Sequence, residues 1–229
     1  MISFDVSDDR LILMSHIMSE TTPAYAGGDG VKITKLRDMC CGDSCNSTHL
    51  SLPNHIGSHV DAQKHFIKEG RAIDEYKISE WFFTSPFMVD MPVEPGQLLR
   101  ANDFETALGN DKDINFLLIR TGMENMRHQD IFWKSAPGYH EELAEYLLGR
   151  FPGLKAIGMD SISLSSLHHR EMGREAHRAF LGPDIRIFED LALARVPQHR
   201  GLSAVIALPF LYEDADGAPC TIVGIKSGG

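Results

Sequence analysis

Residues 54–66 read Asn-His-Ile-Gly-Ser-His-Val-Asp-Ala-Gln-Lys-His-Phe, placing His55, His59, Asp61 and His65 in one short stretch. Two geometries are open to it. On a helix, His55 and His59 would stack one turn apart and Asp61 would lie on another side. Pro53 and Gly57 disfavour that helix. On a strand, residues of one parity share a face. His55, Gly57, His59 and Asp61 then point the same way, and Gly57 leaves room between the two imidazoles. We therefore expect an extended segment with a bend near Gly57. Two imidazoles and a carboxylate on one face suit Zn²⁺, Mn²⁺ or Fe²⁺. His65 would be a further ligand or a general base. Surface or ordinary core placement explains a single histidine better than three joined by an aspartate at shared parity.

Downstream, His168, His169 and His177 precede the strand-like run Ile-Arg-Ile-Phe-Glu-Asp-Leu at 185–191. Ile185, Ile187 and Glu189 share parity there. A carboxylate on an otherwise apolar face is costly unless paired or bound to metal, which singles out Glu189 over Asp190. The polar run around His168, His169, Arg170, Glu171 and Arg174 reads as a mobile or substrate-capping loop.

β-Branched and apolar runs flanked by Gly, Pro, Asp and Asn predict strands at 10–14, 31–36, 47–52, 87–90, 115–120, 154–159, 185–188, 204–208 and 221–225. Helical spacing predicts a helix at 139–150, closing at Gly149 or Gly153. Shorter ones are expected at 101–108, with Asn102 or Asp103 as N-cap, and at 174–181. There is no repeat, low-complexity tract or evident linker. The pattern is that of an α/β or α+β domain built on a central sheet.

The composition narrows the function. The 229 residues are 43% hydrophobic and carry a net charge of −10. That charge argues against binding nucleic acid or an anionic membrane. No apolar run is long enough for a transmembrane helix. Asp5, Asp8 and Asp9 are unlike a signal peptide, so a cytoplasmic location is expected. Cys40, Cys41 and Cys45 crowd into Cys-Cys-Gly-Asp-Ser-Cys, read as free thiols in a loop, with redox or metal chemistry as the alternative.

The histidine segment resembles the hallmark H-x-G-T-H-x-D-x-P-x-H-[FY] of the cyclase-type metal-dependent hydrolases, which include bacterial kynurenine formamidases and isatin hydrolases. Further segments match in order. They are Ser15-His16, Thr22-Pro23-Ala24-Tyr25-Ala26-Gly27, Gly70 to Asp74, Leu118 to Gly122, Gly158 to Ser161, Ala176-His177-Arg178, Ile187 to Leu191, and Ala207-Leu208-Pro209. The resemblance implies a single swivelling β/β/α domain over 1–229 with a central mixed sheet, usually dimeric or tetrameric. It implies His55, His59 and Asp61 as ligands of a first divalent ion, Zn²⁺ or Mn²⁺. In two-metal members Asp61 and Glu189 would bridge to a second ion held also by His177; the isatin hydrolase branch uses one. His65 would be the general acid/base, and Tyr25 would line an aromatic pocket.

Three departures are visible. Ser58 stands for Thr, Gln63 for Pro, and Gly28 for an acidic residue that Asp29 follows. Gln63 would put a polar side chain beside the site. Phe66, Trp81, Phe82 and Phe83 would favour an aromatic ligand, or, for the last three, simply pack in the core. The expected activity is hydrolysis of an amide C–N bond of a small formamide or cyclic amide. The alternatives are a binding protein that keeps the fold without turnover, and a cyclase, dehydratase or lactone hydrolase.

Overall fold

The computed structural model describes residues 9–109 and 111–228; Asp5 and Asp8, part of the signal-peptide reading, lie outside them. Along the chain come β1 (Leu11–Leu13), β2 (Lys32–Arg37), β3 (Ser47–Ser51), β4 (His59–Asp61), β5 (Phe82–Phe83), β6 (Pro86–Asp90) and β7 (Leu98–Leu99). Then follow α1 (Ala101–Phe104), β8 (Phe116–Arg120), α2 (Ile131–Lys134), β9 (Gly138–Tyr139), α3 (Glu142–Arg150), β10 (Ala156–Met159), α4 (Arg170–Leu181), β11 (Arg186–Glu189), β12 (Leu202–Pro209) and β13 (Gly217–Lys226).

Nine strands form one mixed sheet in the order β5-β12-β13-β4-β11-β10-β8-β6, with β1 also on β13. The β6-β8-β10-β11 half is parallel, and the half around β4, β13 and β12 is antiparallel. A bridge between Met88 and His199, just before β12, draws the two ends of the order together, so the sheet is nearly closed.

Residue alternation divides the core into two layers. Met88, Phe116, Leu118, Ala156 and Phe188 face one side with Val60, Phe83 and Val205. Phe87, Leu117, Ile119, Ile157 and Ile187 face the other, where Leu143 and Leu147 of α3 and Ala176, Phe180 and Leu181 of α4 cover them. These strands are apolar on both faces, as strands covered on both sides must be. Asp61 pairs with Ile187, so the polar face of β4 looks toward the helix-covered layer.

The helices depart from expectation at their ends. In 101–108 only Ala101–Phe104 is helical; Arg100 is the N-cap, and Asp103 accepts a 2.7 Å hydrogen bond from its backbone N–H. α3 stops at Phe151 without a left-handed glycine, so neither Gly149 nor Gly153 closes it. α4 begins at Arg170, which corrects the capping-loop reading: Arg170 to Arg174 form its first turns. The good helix formers Arg, Glu and Met supply propensity, and Gly173, Ala176, His177, Phe180 and Leu181 give one buried stripe. β2 and β3 form a separate hairpin, mostly exposed; beyond β2 a short 3₁₀ turn carries Cys40 and Cys41, and the thiols of Cys40, Cys41 and Cys45 are free and exposed.

Candidate metal centre

β4 lies between β11 and β13, and this position assembles the centre. Glu189 stands opposite His59, and Gly217 opposite Asp61. Directly opposed residues share a face, so His59, Asp61 and Glu189 converge. α4 closes over them and contributes His177 from its buried stripe.

His55 arrives differently from the parity argument. Strand geometry begins only at His59, and Gly57 takes a left-handed φ of 63°. That bend swings His55 back over the strand. Its ring packs so closely on Gly217 that a Cβ there would stand 2.3 Å from His55 Cε1. Glycine at 217 is therefore a condition of the site.

Each ligand candidate is aimed by a second hydrogen bond. His59 Nδ1 donates to the Gly57 carbonyl at 2.9 Å, and His177 Nδ1 to the Gly173 carbonyl at 2.7 Å. Both Nε2 atoms therefore turn toward the carboxylates. His59 Nε2 lies 3.4 Å from Asp61 Oδ1 and 3.4 Å from Glu189 Oε2. His177 Nε2 lies 3.6 Å from Asp61 Oδ2 and 3.4 Å from Glu189 Oε1. Each carboxylate thus spans the two imidazoles. Glu189 Oε1 also accepts from Leu164 N at 2.6 Å and Ser163 Oγ at 3.1 Å.

A third carboxylate, absent from the sequence reading, completes the cluster. Asp216 Oδ2 accepts from His55 Nε2 and from His65 Nδ1, each at 2.9 Å, and Oδ1 accepts from Asn54 Nδ2 at 2.6 Å. His55 Nδ1 donates to Asp61 Oδ1 at 2.7 Å, and the His55 and His65 rings stack 3.9 Å apart. The only signal for Asp216 was the Asp-Ala-Asp-Gly turn at 214–217, far from any histidine in sequence.

Burial alone would push the imidazolium of His55 down. Asp61 and Asp216 outweigh it and raise its pKa to about 9. Burial likewise opposes the charge on His177, and Asp61 and Glu189 carry it to about 10. Burial and the nearby Asp61 push Glu189 up, but His177 and His59 hold it at about 2. The centre is therefore a set of ionised carboxylates balanced by protonated imidazoles.

That balance is incomplete. His59 Nε2 and Asp61 Oδ2 are buried and make no hydrogen bond. Buried polar atoms are rarely left so. Three sets of donor atoms, His55/His59/Asp61, Asp61/His177/Glu189 and His55/His65/Asp216, each lie within 4.8 Å of one another, and the first two share Asp61. Imidazole nitrogens and carboxylate oxygens at this spacing fit one or two divalent ions sharing Asp61.

Above the cluster lies a cavity of about 350 Å³. Tyr25, Ile56, Phe66 and Ile162 line it, with Arg170 and Arg174. Phe66 stacks on His177 at 4.6 Å. One further expectation is corrected. Gln63 is not among the lining residues. Its Nε2 donates to the Gly182 carbonyl and its Oε1 accepts from Arg71 N, so it ties the loop to the end of α4. Trp81 and Phe83 are buried in the core, and Phe82 lies on the edge strand β5; none lines the cavity. His169 donates to the Gly96 carbonyl, and neither it nor His168 lines the cavity. Asp190 turns away from Glu189 and accepts both Nε and Nη2 of Arg127, at 2.7 and 2.6 Å.

Among the described residues no helix is long and apolar enough to cross a membrane. The kynurenine formamidase of Bacillus cereus is 29% identical over 180 residues, covering 79% of this chain and 80% of its own. An isatin hydrolase bound to the product analogue thioisatinate shares the fold at a TM-score of 0.81 and 20% identity, over 95% of this chain and 92% of that one. Isatin hydrolase A from Labrenzia aggregata does so at 0.82 and 18%, over 96% and 94%. The Cyclase family model matches residues 12–166. The match covers well over half the sequence, and the chain belongs to the Cyclase family.

Proposed function

We propose that this chain is a metal-dependent hydrolase that cleaves the C–N bond of a small aromatic formamide or cyclic amide. The carrying observation is the buried set His59, Asp61, His177 and Glu189, in which His59 Nε2 and Asp61 Oδ2 make no hydrogen bond. The kynurenine formamidase and isatin hydrolase relatives support the substrate class. His55, His59 and Asp61 would hold one divalent ion, Zn²⁺ or Mn²⁺, and Asp61, His177 and Glu189 a second. Such an ion would supply Lewis-acid polarisation of the carbonyl and bring the pKa of water toward ~7.

The protein supplies the rest. Tyr25, Ile56, Phe66 and Ile162 form apolar walls suited to an aromatic ring. His65 donates its Nδ1 proton to Asp216, which leaves Nε2 as the basic nitrogen. From there His65 takes a proton from the attacking water and returns it to the leaving nitrogen as the C–N bond breaks. Asp216 fixes the ring. Gln63, facing away from the cavity, gives no ground for a member that lost turnover.

The test is an assay of N-formyl aryl amines, isatin and simple lactones with Mn²⁺ or Zn²⁺. We expect amide turnover to exceed lactone turnover. Metal bound with no amide cleaved would overturn the reading. His65→Ala should keep its metal and lose roughly 10²–10⁴-fold in kcat. Loss of metal in that variant would make His65 a ligand instead.

A further inference from the structure

Arg170 opens α4, Arg174 follows one turn later, and both line the cavity beside Tyr25. Residues four apart share a helix face. Among the described residues the Arg170 side chain makes no hydrogen bond and no ion pair. Arg174 is held by Glu171 alone, at 2.7 Å, with side chains 52% and 81% exposed. An exposed pair of this kind is weak.

This placement works against local stability. Like charges four apart repel, and Arg170 in the first turn opposes the positive end of the helix dipole. The chain has ten more acidic than basic residues, 32 against 22, yet among the described residues no carboxylate pairs with Arg170. Arg178, the next in the row, is by contrast paired with Glu175 and lies over the Phe66 ring. The charges also reach into the cavity. Burial raises the Tyr25 phenol, and both Arg170 and Arg174 pull against that rise.

His177 is on the same helix, seven residues after Arg170 and three after Arg174. At ~1.5 Å per residue, the two guanidinium stems lie roughly 5–10 Å along the axis from the cluster. That is about the span of a substituted benzene ring.

We propose that Arg170 and Arg174 bind a carboxylate on the substrate, at the end of the ring away from the scissile amide, so that the enzyme selects anionic aryl amides over neutral ones. Guanidinium forks match a carboxylate in bidentate geometry, which glutamine cannot reproduce. The inference rests on the amide-hydrolase reading.

The test compares kcat/KM for 3-formamidobenzoate and formanilide, which differ only in the carboxylate. Wild type should prefer the anion by more than about tenfold. R170Q and R174Q should each reduce that ratio about tenfold, mainly through KM, the double variant should bring it near one, and R170K should retain part of it. A ratio in the double variant within twofold of wild type would overturn the proposal. If wild type cleaves neither compound, the hydrolase reading falls and the clamp is judged by calorimetry with benzoate and benzamide. Preferential benzoate binding that disappears in the double variant upholds the clamp; benzoate binding equal in both proteins overturns it.

Discussion

Glu189 and Asp190 are chain neighbours, both buried, and their surroundings could hardly differ more. Asp190 meets a guanidinium through two short hydrogen bonds, and its charge is answered within the fold. Nearby Asp160 is answered as fully, by Thr121 N, Thr121 Oγ and Gly122 N. Glu189 instead faces a second carboxylate, Asp61, across two imidazoles, with polar atoms left over. The fold gives both oxygens of Asp190 and of Asp160 short hydrogen bonds on one side and leaves Asp61 Oδ2 without one on the other. The difference separates a structural ion pair from a binding centre.

The comparison breaks most sharply by substitution. Asp61→Asn should cost activity on the order of 10³-fold, with the chain still folded by circular dichroism. Unfolding of that variant would mean that Asp61 is structural. Arg127→Met should do the reverse. It strands the Asp190 charge and should cost about 3–5 kcal/mol, a drop in Tm of roughly 10 °C, while the folded fraction still binds metal. A Tm unchanged within two degrees would remove the contrast.

The pH dependence sharpens it further. In metal-free protein His55 and His177 titrate at about 9 and about 10, above the ordinary ~6.5. A raised folded-state pKa stabilises fully below the unfolded value and is lost as pH rises through the folded one. Metal-free Tm should therefore fall by several degrees between pH 6.5 and 9. Metal competes with those protons, so its affinity should climb over the same range. Thermal scans with chelator and with Mn²⁺ would show a falling curve and a flat or rising one. Parallel curves would mean that protons and metal do not share the site.

Much of this was legible in the sequence, and the failures have physical causes. The pattern of apolar, β-branched runs between turn residues found the long sheet strands, because strands covered on both faces read as continuous apolar runs. It found β4 only indirectly, since three residues carry little pattern. Parity put His59 and Asp61 on one face, and Glu189 was joined to them only by the family resemblance; His55 reaches them through the Gly57 bend, which strand logic does not describe. Asp216 left only a turn signal because its partners are brought to it by the β4–β13 pairing. Gln63 was misread because its position in the motif is beside the site while its side chain bonds Gly182 and Arg71. Arg170 to Arg174 looked like a loop because polar residues there hide a buried stripe that begins at Gly173.

The central claim is that the His59, Asp61, His177 and Glu189 cluster exists to hold a cation. The most direct test is calorimetric titration of chelator-stripped protein with Mn²⁺ and Zn²⁺, beside Asp61→Asn and Arg127→Met. The account predicts one or two ions per chain in wild type and Arg127→Met, and none in Asp61→Asn. Wild type that takes up no ion, or Asp61→Asn that binds as wild type does, would contradict it.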